Sequence, residues 1–417
     1  MTHPIPLDQE ATGPLKGIRI LDLTSVVNGA YATQILADQG AEVIKLEDPA
    51  SGRSGGGDIM RRAGAPASGT PDDLGPIFVT VNRNKRSIVL DLRRANARRA
   101  IQRLIKSCDV FAASVRYEGL KRLGLSYEDV AAIRPDIIYV HAAGYGSDGP
   151  YAGEPAYDDL IQAASGMADI LPRTYGGEPR LLPTLVADKV SGLFMAQAVS
   201  AALFHHSRTG EGQFIEVPMF ECITSFLMVE HYFGHVYEPP SGQYGYPRVI
   251  NPNRKPFPTK DGYIGLLPYT DKQWDQFFEI AGFGKAASND PRFCNFAARN
   301  ANIRELYALV EKAAATKTTQ EWIDALRPLS VPVIRLNRLE DLESDPHLRA
   351  VNLFQPMQHP HAGAYKLVRP PVKFSRTPAN IRRHAPRLGE NTVEILAEIG
   401  VAMDDMEETH HAGTEEA

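Results

Sequence analysis

Between residues 18 and 143 short apolar runs alternate with amphipathic stretches. Residues 18–23 (Ile-Arg-Ile-Leu-Asp-Leu) read as a first strand, 30–39 as a helix and 41–46 as a second strand, which makes a βαβ unit. Residues 87–92, 109–113 and 136–140 repeat the apolar pattern of buried strands, and 94–106 places its apolar positions at helical spacing. A short helix over 120–125 stops at Gly124, a residue suited to a left-handed helix end. Strands and helices in this alternation predict an α/β fold with a Rossmann-like, doubly wound parallel sheet. Residues 157–166 read as a helix. Residues 190–206 are almost all small or apolar and predict a buried helix, broken by Gly210 and Gly212 before a strand at 214–217. From about 240 the character changes. Residues 241–260 are rich in Gly, Pro, Tyr and Arg, Asp261-Gly262 marks a turn before a strand at 263–267, helices fill 272–328 and 331–334 is apolar. This predicts a smaller α+β domain. A loop-rich stretch then leads to a last helix at 392–399. Residues 1–14 and 403–417 read as loose ends, and 49–76, with Gly55-Gly56-Gly57, as a surface loop or a lid near a ligand.

Composition narrows the function. In 417 residues, 43% hydrophobic and 23% charged residues suit a globular chain, and a net charge of −5 gives no support to nucleic-acid binding. No apolar run reaches the roughly 18 residues of a membrane span, and the N-terminal residues lack the apolar core of a signal peptide. Three widely spaced cysteines, Cys108, Cys222 and Cys294, argue against a disulfide framework, so a cytoplasmic location is expected. No CxxC or HExxH motif is present, and the first turn, 24–29, lacks GxGxxG, so neither a metal nor a redox cofactor is expected.

One carboxylate stands out. Asp188 lies between Leu185-Val186-Ala187 and the predicted buried helix. As an N-cap it accepts bonds from free helix N–H groups. As a nucleophile it is an anion held near a helix N-terminus, where the same N–H groups stabilise an oxyanion.

Six stretches, at 15–49, 82–92, 119–151, 155–166, 186–219 and 370–392, together resemble the class III coenzyme A transferases, the formyl-CoA transferase and carnitine CoA-transferase group. The resemblance runs over nearly the whole chain. It implies an interlocked-ring homodimer in which both chain ends build a large CoA-binding domain. On that reading residues 1–225 begin the large domain, 226–335 form the small one and 336–417 return. The motif Val186-Ala187-Asp188 matches the family's nucleophilic aspartate. Asp158 matches an acidic position that assists it, or is a capping or surface acid. The related α-methylacyl-CoA racemases carry a histidine where this chain has Tyr157. A phenol, with an ordinary pKa of about 10, does not replace imidazole as a base near pH 7.

The resemblance also implies CoA contacts at Val27, Asn28, Leu90, Arg93, Ser114, Val115 and Arg122. Arg93 and Arg122 suit phosphate oxygens, or are solvated helix charges. The chain departs from the family at 114–118, Ser-Val-Arg-Tyr-Glu, and where a glycine run is usual it has Gly242 and Gly245 among Tyr and Arg. Arg248 and Arg254 are either sites for a second substrate carboxylate or solvated loop charges. The expected partners are an acyl-CoA, small carboxylic acids and a second copy of the chain, with CoA as substrate. The implied chemistry is attack of Asp188 on the thioester, an acyl–aspartyl anhydride and then an aspartyl-CoA thioester. The rivals are a 2-methylacyl-CoA racemase or epimerase, and a CoA-binding protein without turnover.

Overall fold

The computed structural model describes residues 10–49, 55–64 and 73–407. The expected loose ends and 49–76 loop lie partly outside these residues. The chain divides into two units, one from the described residues of 1–165, 182–226 and 349–417, the other from 166–181 and 227–348.

The first unit holds six strands: β1 (Arg19–Leu23), β2 (Glu42–Glu47), β3 (Lys85–Val89), β4 (Val110–Ala113), β5 (Ile138–Ala143) and β6 (Gln213–Pro218). The helices, in chain order, are α1 (Asn28–Asp38), α2 (Pro76–Val81), α3 (Ala95–Lys106), α4 (Tyr117–Leu123), α5 (Tyr127–Ile133), α6 (Asp158–Ala164), then α7 (Ile170–Tyr175) of the second unit, α8 (Val186–Thr209) and α9 (Met219–His231). The sheet runs β3-β2-β1-β4-β5-β6 and every pair is parallel. Side chains alternate between its faces. Leu21, Ile44, Phe111 and Tyr139 pack with α3, α4, α5 and the helix Thr392–Glu398. Ile20, Val43, Val110 and Val140 pack with α1 and α8. Burial on both faces explains why these strands read as near-continuous apolar runs, and the doubly wound sheet expected from the pattern is present. Gly124 ends α4 at φ 69°, in the left-handed conformation its position required.

Three features departed from the pattern. Strand β3 begins at Lys85, two residues before the apolar run, because the Lys85 ammonium is buried against Asp22 Oδ2 (3.0 Å), Ala30 O (3.0 Å) and Asn82 Oδ1 (2.9 Å). Helix α9 follows β6 directly. The stretch read as loop-rich contains an antiparallel hairpin, β10 (Phe354–His359) and β11 (Gly363–Val368), which turns inward Met357 and Leu367 against Ile381.

Buried charges hold the turn after β1. Lys45 Nζ pairs with Asp58 Oδ2 (3.0 Å) and donates to Thr24 O (2.7 Å), and Val26 N donates to Asp58 Oδ1 (3.2 Å). Val26 has φ 66°, a costly conformation for a β-branched residue, kept by these fixed partners.

In the second unit β7 (Phe257–Pro258), β8 (Tyr263–Leu266) and β9 (Val333–Arg335) form an antiparallel sheet. It packs on α10 (Asp271–Ile280) and the helices Ile303–Ala314 and Thr319–Leu326, around Trp274, Phe277, Phe278 and Trp322.

Helices α1 and α8 cross closely at Gly192. A Cβ placed there would lie 2.7 Å from Asn28 O and 3.3 Å from the Tyr31 ring. Gly192→Ala ordinarily favours a helix, yet here the clash dominates. We expect a loss of about 1–3 kcal/mol in thermal or denaturant unfolding, and unchanged or increased stability would contradict this close packing.

Candidate active site

Helix α8 starts without a cap of its own. Leu185 occupies the N-cap position and has no side chain able to accept from the first-turn N–H groups. Asp158, from the first turn of α6, does so instead. Its Oδ1 accepts from Ala187 N at 2.7 Å and from Asp188 N at 3.1 Å. Its Oδ2 accepts from Gln162 Nε2 at 2.6 Å, one helical turn further along α6. Gln162 Oε1 in turn accepts from Leu182 N at 2.8 Å, and its amide nitrogen donates to Thr184 O at 3.2 Å. Asp158 and Gln162 therefore fix both the approach to α8 and its first free N–H groups.

Asp188 is the third residue of α8, so it is not the N-cap. Its side chain is buried at 7% exposure, and among the described residues its carboxylate has no hydrogen-bond partner. Burial, followed by the negative charges of Asp158 and Asp159, pushes its pKa up to about 7. The helix N–H groups that would relieve this charge are already taken by Asp158. The result is a carboxylate with no protein hydrogen-bond partner among the described residues, in the first turn of a helix, able to act as a nucleophile or to exchange a proton near neutrality. Tyr157 is the N-cap residue of α6, in extended conformation, and 65% exposed.

Apart from Arg122, the nucleotide-contact candidates follow the carboxyl ends of strands. Val27 and Asn28 follow β1 and are buried, with Asn28 Oδ1 left without a partner among the described residues. Ser114 follows the neighbouring β4, and its Oγ accepts from Ser25 N at 3.0 Å. Val115 O meets His141 Nε2 at 3.0 Å. These four residues follow the carboxyl ends of the adjacent strands β1 and β4, where the strand order reverses, the place where open parallel sheets leave a crevice. Leu90 and Arg93 follow β3, two strands and so about 10 Å away. Leu90 has its side chain in the core, so only its backbone can face a ligand. The Arg93 guanidinium is exposed and held by Asp91 at 2.7 and 3.0 Å. Arg122 is exposed near the end of α4. Sequence reasoning missed Gln162, although its four-residue spacing from Asp158 puts both on one face of α6. It also missed the close approach at Gly192.

The family profile of CoA-transferase family III matches residues 15–392. The chain belongs to this family. It is 32% identical to the succinate–glutarate CoA-transferase of Agrobacterium fabrum, over 93% of this chain and 96% of the relative. It is 30% identical to the human succinyl-CoA:glutarate CoA-transferase, over 94% of this chain and 87% of the relative. Among solved structures it is similar to a CAIB/BAIF family protein from Brucella suis, with TM-score 0.76 and 29% identity, covering 93% of this chain and all of that one (100%). The protein is thus a family III CoA-transferase, an enzyme whose substrate is coenzyme A in thioester form. Among the described residues no helix is long and apolar enough to cross a membrane.

The raised Asp188 pKa links to stability. The folded protein binds this proton more tightly than the unfolded chain, so stability falls as pH rises from about 4 to about 7 and stays reduced above. Asp188→Asn removes that loss. We expect the variant to unfold at higher temperature than wild type at pH 8, by the equivalent of roughly 2–4 kcal/mol, with the gap closing near pH 4. A gap that is independent of pH would contradict the buried, unrelieved charge.

Proposed function

We propose that the enzyme moves coenzyme A from an acyl-CoA donor to a free carboxylic acid through covalent intermediates on Asp188. The observation that carries this reading is the buried Asp188 carboxylate, without hydrogen-bond partners, in a helix first turn whose N–H groups are held by Asp158. Asp188 Oδ attacks the thioester carbonyl, forming an acyl–aspartyl anhydride as the C–S bond breaks and CoA leaves as thiolate. The thiolate then attacks the aspartyl carbonyl, giving an aspartyl-CoA thioester and releasing the donor acid. An acceptor carboxylate reverses both steps and restores Asp188. Each step exchanges one carboxylate or thiolate for another, so no oxidant, reductant or net proton is required.

In this scheme Asp158 is a positioning residue. It anchors the first turn of α8 and, by its charge, holds Asp188 destabilised as an anion, which raises its reactivity. Tyr157 borders the reacting carboxylates. The crevice between β1 and β4 takes the nucleotide through Val27, Asn28, Ser114 and Val115, with Leu90, Arg93 and Arg122 as outlying contacts. On this reading the first unit is the CoA-binding domain, and the chain works as an interlocked-ring homodimer in the cytoplasm. The relatives named for succinate, glutarate and oxalate favour small carboxylic acids as acceptors.

Asp188→Ala should abolish transfer while leaving the fold intact. A variant that keeps more than a few per cent of wild-type transfer would reject the assignment. Wild-type protein in heavy water should leave the α-proton of a 2-methylacyl-CoA in place, because Tyr157 stands where a racemase has its second base. Rapid deuterium uptake without an acceptor acid would favour a racemase. Binding of acyl-CoA with neither transfer nor uptake would favour a binding protein without turnover.

A further inference from the structure

The second unit contains a cavity of about 720 Å³, within the range of roughly 300–1,000 Å³ usual for small-molecule sites. Its charged residues are all cationic. Arg248, Arg254 and Lys255 line it, and no acidic side chain does. The Lys255 ammonium is already paired with Glu311 at 2.9 Å, which leaves two guanidiniums. Arg248 Nε donates to the Tyr307 hydroxyl at 3.4 Å, and its guanidinium sits 5.4 Å from the Tyr269 ring centre. These contacts orient Arg248 without neutralising it. Among the described residues the Arg254 guanidinium has no hydrogen-bond or ion-pair partner. The remaining wall is largely apolar, and the side chains free to meet a ligand are Ile334 on β9 and Leu267 just past β8, since Phe257 and Leu266 turn to the other face of the sheet and lie in the core. Gly265 on β8 also lines it, and a side chain there would press on the cross-strand Ile334, beginning 3.2 Å from its Cγ2.

Two unneutralised guanidiniums, one of them oriented by Tyr307 and Tyr269, against an apolar wall match one kind of ligand. We propose that this cavity binds a carboxylate carrying an apolar body, with the anionic head on Arg248 and Arg254 and the hydrocarbon against Leu267 and Ile334. Guanidinium forks match carboxylate oxygens in geometry. Burial of the hydrocarbon adds the affinity that a small, hydrated anion lacks. The site stands on the cavity alone and does not depend on Asp188 being a nucleophile.

The test is calorimetric titration of the full chain with octanoate in the absence of any CoA thioester, so that no transfer occurs. We expect one octanoate per chain. Arg254→Gln should weaken binding roughly tenfold or more, and Arg248→Gln similarly. Acetate, with the head but no body, and octanol, with the body but no head, should each bind at least about tenfold more weakly than octanoate. Arg254 is exposed, so its variant should keep the wild-type unfolding temperature, and Leu267→Glu, which adds a competing carboxylate at the cavity wall, should lower octanoate affinity by a second route. Equal octanoate affinity in wild type and Arg254→Gln would overturn the proposal. So would phosphate or glutarate binding more tightly than octanoate. Binding that survives Arg254→Gln but disappears in Asp188→Ala would place the acid in the first unit and overturn it too.

Discussion

The Asp158 carboxylate bonded across to the start of α8 is the constraint on which the candidate site depends. A helix with Leu185 at its N-cap has no side chain of its own to satisfy its first N–H groups, and Asp158, thirty residues before Asp188, supplies the acceptor at 2.7 and 3.1 Å. The arrangement does two things together. It fixes the direction in which α8 enters the fold, and it uses up the positive end of the helix that would otherwise stabilise Asp188. The acid left over is buried, close to a like charge and raised to a pKa of about 7. A helix with an ordinary Ser or Asp cap would hold its termini as well, but it would not leave a second carboxylate without partners beside the first.

The rest of the first unit serves this arrangement through rigid packing. Gly192 lets α1 press against α8 one turn beyond Asp188, so the turn after β1 and the start of α8 share one packed layer. That turn is itself held by the Lys45–Asp58 pair and the Val26 N–H bond to Asp58. The buried pair and its hydrogen bonds keep a strained valine in place where the strand order reverses. Buried ion pairs add little net stability, because desolvation offsets their attraction, so their value here lies in fixing geometry.

Much of the fold was legible because parallel strands buried on both faces read as plain apolar runs, and β1, β2, β4 and β5 each did so. Where polar residues are buried with dedicated partners, the pattern fails. Lys85 belongs to β3 yet reads as a surface charge until Asp22 is known to lie beneath it. The β10–β11 hairpin was hidden by Pro356 and by polar residues in a two-stranded sheet with one modest apolar face. Asp188 could be read as a cap or a nucleophile from local sequence, since both need a carboxylate at a helix start. Local sequence cannot decide between them, because the residue that actually caps the helix comes from α6. The family resemblance pointed to Asp158 and Asp188, while the contacts explain why they occur together and add Gln162.

The covalent path through Asp188 leaves an isotopic mark that no direct transfer between acid and thioester would leave. When an acceptor acid labelled with 18O in its carboxylate attacks the aspartyl thioester, one labelled oxygen becomes the bridging atom of the anhydride. It stays on Asp188 when the thiolate departs with the acyl group. Turnover with labelled acceptor, followed by proteolysis and mass spectrometry, therefore tests the account directly. The peptide containing Asp188 should gain 18O, while the peptide containing Asp158 should gain none. Completed transfer with no label in the Asp188 peptide, or with label in the Asp158 peptide, would contradict it.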